Sequence, residues 1–307
     1  MSALHSTLAL TMRSDKDLSE RALGWLLLSP VALLLLIVVV YPVSQLIYSS
    51  FFTIRLTEPW LGTPFVGLEN YLKAWEDERF WGALQNTLLF IVVTVPGSLV
   101  VGLGLAMLAN MPFRRKWPVR LALLLPWALP LVFAGLIFRW FFDNRLGFIN
   151  DLLLRFGISA QPWLTDPVLA KIAICLAIVW KSSSFMALVL LAGLQAIPKS
   201  LYEAAEVDGA GKWLQFREIT IPMLMPAIFV ALIFRTITAI QTFDIPFAMT
   251  GGGPGESTET LAMYIHKNTL DFLDFGYGSA LATIMFVVSI IATSGYLRYT
   301  QRTAGRD

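Results

Sequence analysis

Two apolar runs of this chain carry polar side chains at positions where a bilayer makes them expensive. One holds Trp180-Lys-Ser-Ser-Ser-Phe185; the other holds Arg235, Thr236, Thr238, Gln241, Thr242 and Asp244. Ionisable groups inside such runs are functional candidates by default. Thr238, Gln241 and Thr242 share one face of a helix by their i, i+3, i+4 spacing. Hydroxyls, an amide and aromatic faces are the set a sugar needs. The candidate path residues are therefore Trp180, Ser182, Ser183, Phe185, Thr238, Gln241, Thr242 and Asp244. A competing reading uses Lys181 and Arg235 as point charges for an anionic cargo such as glycerol phosphate. A neutral sugar is favoured here for two reasons: Asp244 would repel an anion, and the two cations can be spent on structural pairing. Arg235 and Asp244, nine residues apart, fall on opposite faces of a continuous helix, so any ion pair must cross to another element. The structural alternative is that all these groups merely hold helix to helix. Arg139 lies near a span end, where its side chain can reach the interface.

A second constellation lies between two apolar runs, in Ile197-Pro-Lys-Ser-Leu-Tyr-Glu-Ala-Ala-Glu-Val-Asp-Gly209. Ser200 and Glu203 have the spacing of a capping box. Pro198 ends the preceding helix, and Gly209 suits the left-handed position that stops the next. Small residues Ala204 and Ala205 permit close approach by a partner, and Glu203 can pair with a cation there. Trp213 and Phe216 follow, and Pro222 is expected to open the next span. An interfacial helix resting on lipid headgroups is the competing account.

Other chemistries have little to work with. Two histidines, His5 and His266, lie far apart, and Cys175 is the single cysteine; no metal or catalytic site is expected. No G-x-x-x-x-G-K-[ST] run occurs, so ATP and Mg must be held by another chain, and no cofactor is expected in this one. Lys and Arg occur in short clusters without a basic, aromatic-interleaved face, which argues against nucleic acid.

The elements that position these residues are membrane helices. Of 307 residues, 56% are hydrophobic and 14% charged, against roughly 45–50% and 25% in soluble domains. Six spans of about 20 residues or more are expected, at 23–50, 84–110, 118–142, 167–193, 223–249 and 276–298. Residues 1–22 and 299–307 flank this six-helix domain, and 197–222 form a loop within it. The excess of Lys and Arg, clearest in Arg114-Arg115-Lys116, puts both termini and that loop in the cytoplasm. Gly97, Gly102 and Gly104 give the second span a small face for helix packing. An ion-coupled secondary transporter is the competing class, but the halves show no internal repeat.

The run Glu203-Ala204-Ala205, with Asp208-Gly209 and then Ile219, Ile221 and Pro222, resembles the EAA motif of ABC importer permeases; only Ile221, where leucine is usual, departs from it. The runs Phe65 to Tyr71, Phe243 to Pro254 and Glu259 to Ile265 resemble the carbohydrate-type members related to trehalose, maltose and glycerol-phosphate systems. The resemblance covers about residues 20–300. It implies an all-α membrane protein, a type I ABC importer permease with a cytoplasmic coupling helix contacting the ATPase through Glu203, Ala204, Ala205, Asp208, Gly209 and Pro222. It further implies a second homologous permease, two copies of a cytoplasmic ATPase subunit, an extracytoplasmic sugar-binding protein, and a trehalose- or maltose-like disaccharide as cargo. The setting is the inner membrane, with lipid around the spans.

Overall fold

Prolines decide where the apolar runs become straight helices and where they break. The computed structural model describes residues 20–112 and 116–304. It divides into two compact units, up to Tyr48 and from Ser49 onward. The first holds helices α1 (Glu20–Leu35) and α2 (Tyr41–Ser49), joined by a π turn at Leu36–Val40. The Tyr41 N–H reaches back five residues to the Leu36 carbonyl. Pro42, next in line, has no N–H to give, so the wider turn is formed just before it.

The second unit begins with α3 (Glu69–Glu76) and the long α4 (Glu78–Asn110). Next come α5 (Lys116–Ala128), α6 (Leu131–Phe141), α7 (Phe148–Arg155) and α8 (Pro167–Ala196). The loop helices α9 (Lys199–Val207) and α10 (Lys212–Gln215) lead through a π turn, Phe216–Thr220, into α11 (Ile221–Ile240). Finally α12 (Asp244–Thr250), α13 (Leu261–His266) and α14 (Phe275–Ala304) complete the unit.

Among the described residues, five helical stretches are long and apolar enough to cross a membrane: Leu23–Ser49, Glu78–Asn110, Pro167–Ala196, Lys212–Ile240 and Phe275–Gly295. The sixth expected span, 118–142, is instead two shorter helices, α5 and α6. Pro126 and Pro130 are the cause: each removes a helix N–H, and Pro130 takes an extended ψ of 144° at the N-cap of α6. The expected span 223–249 differs at both ends. Its helical stretch starts at Lys212, so Pro222 sits inside it behind a second π turn, where Ile221 N–H bonds the Phe216 carbonyl. Its other end stops at Ile240, and α12 restarts at Asp244. In an unbroken helix the Thr242 carbonyl would need the N–H that Pro246 lacks; here the Thr260 hydroxyl donates to it at 2.7 Å.

Two helices, α4 and α8, form the axis of this unit. A Cβ on Gly102 would lie 2.6 Å from Met186 Cβ, and one on Gly97 would lie 3.0 Å from Val179 Cγ2. These two glycines are the small face foreseen for close packing; Gly104 faces open space and takes no part. At one end, Ala106, Ala109, Leu190, Leu194 and Leu224 pack together near α9. At the other, Phe80, Ala83, Leu261, Tyr264, Tyr277 and Leu281 pack where α4 and α14 begin. Between them lies a third cluster built on Phe90, Ile174, Ile178, Ile245 and Met249.

That far end is also clasped by charge. Glu259, 1% exposed, meets Arg79 Nε at 2.8 Å and Lys267 Nζ at 2.7 Å, and Arg79 also reaches Glu256 at 2.9 Å. Asn86 Nδ2 donates to the Glu259 carbonyl at 3.0 Å. Asp77 caps α4 and accepts hydrogen bonds from the hydroxyls of Tyr264 and Tyr277. Burial alone would raise both carboxylates, but the bonds from Arg79 and Lys267 to Glu259, and from the two tyrosines to Asp77, outweigh it and hold both below their ordinary values.

Candidate functional site

The two helix breaks, at 129–130 and 241–243, adjoin the same cavity, about 400 Å³ in volume. Irregular backbone at membrane depth is tolerated where it lines a cavity rather than lipid. The cavity wall includes Trp127 and Leu131 on either side of the first break, and Gln241, Thr242 and Asp244 at the second. From α8 come Lys181, Ser182 and Phe185; from α11, Phe234, Arg235 and Thr238.

Six of the eight path residues expected from sequence are thus brought together: Ser182, Phe185, Thr238, Gln241, Thr242 and Asp244. Trp180 and Ser183 are not on the wall. The Trp180 ring packs against Phe138, centroids 5.2 Å apart, and Ser183 Oγ donates to the Trp180 carbonyl at 3.0 Å. Both occupy the side of α8 turned from the cavity. The opposite-faces argument for Arg235 and Asp244 also fails. It assumed a continuous helix; because α11 ends at Ile240, both residues line one cavity.

Sequence reasoning named Phe185 but missed Trp127 and Phe234, which complete the aromatic wall. Trp127 stacks on Phe185 with centroids 6.5 Å apart, and Phe185 meets Phe234 edge-on at 6.3 Å. The available signal was Trp127 lying between Pro126 and Pro130: two closely spaced prolines end a helix, and Trp127 stands in the last turn of α5 beside that break.

The two cations are the other surprise. Lys181 and Arg235 are 6% and 5% exposed, and neither forms an ion pair among the described residues. Structural pairing with a carboxylate, one reason given for favouring a neutral cargo, is absent here. Lys181 Nζ donates to the Trp127 carbonyl at 2.8 Å, one of the four α5 carbonyls that a helix end leaves open. Arg235 donates to Thr94 Oγ1 at 2.8 Å and to Thr238 Oγ1 at 3.3 Å, while its Nε–H has no partner. Arg139 is exposed, as its place near a span end implied.

At the opposite end of α8 the loop helix α9 is formed by different means from those expected. Its N-cap is Pro198 and no side chain caps it, so Ser200 and Glu203 make no capping box. The helix begins two residues too early for that spacing. Its end is as foreseen: Gly209 has φ +76°, the Gly209 N–H bonds the Glu206 carbonyl at 3.1 Å, and the Ala210 N–H bonds the Ala205 carbonyl at 2.8 Å. These two bonds are the Schellman pattern. Tyr202 Oη lies 2.9 Å from Thr220 Oγ1, tying α9 to the start of α11, and Lys212 Nζ pairs with Glu206. Glu203, Ala204 and Asp208 are exposed, as are the apolar Val207 and Trp213. The exposed loop therefore offers an acidic and apolar surface beside a turn braced to a membrane helix.

Comparison with known proteins agrees with this geometry. Residues 98–305 match the family model for the binding-protein-dependent transport system inner membrane component. The sulfoquinovosyl glycerol transport system permease protein SmoG of Agrobacterium fabrum is 60% identical, over 92% of this chain and 91% of its own. The trehalose/maltose transport system permease protein MalF of Thermococcus litoralis is 37% identical, over 91% and 94%. Among solved structures, a chain of a bacterial alginate ABC transporter, in complex with alginate pentasaccharide-bound periplasmic protein, superposes with a TM-score of 0.79 over 92% of this chain and 94% of that one. At 22% identity that likeness speaks for the fold.

Proposed function

Given that the chain belongs to the family of binding-protein-dependent transport system inner membrane components, we propose that it forms half of the membrane path of an ATP-driven sugar importer. The observation that carries this reading is the cavity at the two helix breaks, with its aromatic wall of Trp127, Phe185 and Phe234 and its polar groups Ser182, Thr238, Gln241 and Thr242. Aromatic faces suit the C–H faces of a sugar ring, and hydroxyls and amides suit its hydroxyl groups. A volume of about 400 Å³ lies within the range of roughly 300–1,000 Å³ that holds small ligands. The relatives named for sulfoquinovosyl glycerol and for trehalose and maltose support a cargo of two linked units, a disaccharide or a glycosyl polyol.

In this reading a second homologous permease completes the path. Two copies of an ATPase subunit bind ATP and Mg on the cytoplasmic side, where the chain's own termini also lie. An extracytoplasmic binding protein delivers the sugar. The exposed α9 loop is the coupling helix, with Glu203 set to meet a basic residue of the ATPase. Any residue other than glycine at φ +76° is strained by roughly 1–2 kcal/mol, enough to distort the loop without unfolding the spans. Uptake by the whole importer tests this: Glu203→Lys and Gly209→Val should lower it at least tenfold while the chain still reaches the membrane. Wild-type uptake by both variants, or ATP hydrolysis by this polypeptide alone, would refute it.

A further inference from the structure

Buried cations are normally paired, because an isolated charge in a low-dielectric interior costs several kcal/mol or more. Lys181 and Arg235, both on the wall of one cavity, break that rule. Their partners carry no full negative charge. The C-terminal end of α5, which Lys181 caps, is worth about half an elementary charge, and Thr94 and Thr238 are neutral. Asp244 is on the wall as well, half-buried and forming no ion pair with either cation. Formal charges on the wall therefore sum to +2 from Lys181 and Arg235 and −1 from Asp244, a surplus of +1. Donors are also left over. Lys181 spends one of an ammonium's three N–H bonds on Trp127, and Arg235 spends one N–H on Thr238 and one on Thr94 of the five that a guanidinium carries.

Resting on the cavity as the sugar path, we propose that the cargo carries a tetrahedral oxyanion, a sulfonate or a phosphate, and that Lys181 and Arg235 hold this group as it passes. The guanidinium offers a planar fork that matches two oxygens, and the ammonium a compact point charge beside it. The ring of the same molecule lies against Trp127 and Phe185. Asp244, at the second break, is left to accept hydrogen bonds from the sugar hydroxyls. Leaving the cations short of a fixed counter-charge has a transport logic. A resident carboxylate would compete with the cargo, whereas a mobile anion satisfies the site only while it passes.

The whole importer in proteoliposomes provides the test, with three labelled probes: the methyl glucoside 6-sulfonate, the methyl glucoside 6-phosphate, and trehalose. Uptake of either anionic glycoside, falling at least tenfold in Lys181→Met and Arg235→Gln and falling less in Arg235→Lys, which keeps the charge but loses the fork, is the expected result. The two anionic probes separate sulfonate from phosphate. Uptake of trehalose alone overturns the anion assignment and leaves the sugar reading standing. Anionic uptake that neither neutralising variant lowers also overturns it. So does a fall in the amount of assembled importer with unchanged uptake per complex, which would assign the cations to a carboxylate of the neighbouring permease. Uptake of none of the three sinks the sugar reading itself. If the neutralising variants fail to assemble, the wild-type probe panel and Arg235→Lys still decide.

Discussion

Two pairs of cations in this molecule are treated differently. At the far end, Arg79 and Lys267, each 28% exposed, converge on Glu259, which is 1% exposed and fully engaged. In the cavity, Lys181 and Arg235 are buried more deeply and converge on no carboxylate. The more expensive pair is thus the one left without a counter-charge. The clasp joins the loop after α12 to the first turn of α4, so its charges are consumed in holding the fold. The cavity charges are bonded only to neutral groups, a carbonyl and two threonine hydroxyls. Stability placed in one region and withheld from another is the pattern expected when the second region must bind something transient.

The contrast yields measurements that would break or sharpen it. The largest effect is expected from Glu259→Gln, which strands two cations around a buried neutral amide. Breaking a buried pair in this way costs about 3 kcal/mol, read as a lower Tm of the detergent-solubilised importer. An unchanged Tm would mean that the clasp is not structural. Arg235→Met should behave in the opposite sense. It removes a buried charge that lacks a counter-ion, so stability should stay within about 1 kcal/mol of the wild type or rise, despite the lost bonds to Thr94 and Thr238. A loss as large as that of Glu259→Gln would show that Arg235 has a counter-charge in the assembled importer and would end the comparison.

Acid should attack the clasp. Glu259 and Asp77 both titrate below their ordinary values in the folded chain. The stability they contribute is therefore complete above the unfolded values, 4.5 for Glu259 and 3.8 for Asp77. It is lost as pH falls through the lower folded values. A series of Tm against pH below 4.5 should fall more steeply for the wild type than for Glu259→Gln; parallel curves would remove Glu259 from the account. The smallest stability effect belongs to Gln241→Ala. Gln241 is exposed on the cavity wall, so Tm should move by no more than about 0.5 kcal/mol of equivalent stability. Sugar uptake should nevertheless fall, with a higher KM. Unchanged uptake would move the path off this wall.

Much of the cavity wall was legible before any coordinates. Ser182, Phe185, Thr238, Gln241, Thr242 and Asp244 stood out because polar residues inside apolar runs are rare. Gly209 stood out because a helix stop needs a left-handed residue. Trp180 and Ser183 fall off the cavity wall because neighbouring residues in a helix point about 100° apart, and only the packing of the helix decides which of them face the cavity. The capping box failed for a similar reason: the spacing of Ser200 and Glu203 was right, but the helix start was set by Pro198.

Composition and motif alone determined that this chain is a bundle of membrane helices and which family it belongs to. Apolar run length and an EAA-type turn are local properties, written residue by residue. Only the tertiary structure decided that the breaks at 129–130 and 241–243 open onto one cavity, and that Lys181 and Arg235 reach it without a carboxylate. Whether a buried charge is paired depends on what other helices bring within about 4 Å, and residues such as Thr94 and Trp127 are more than fifty positions away in the chain.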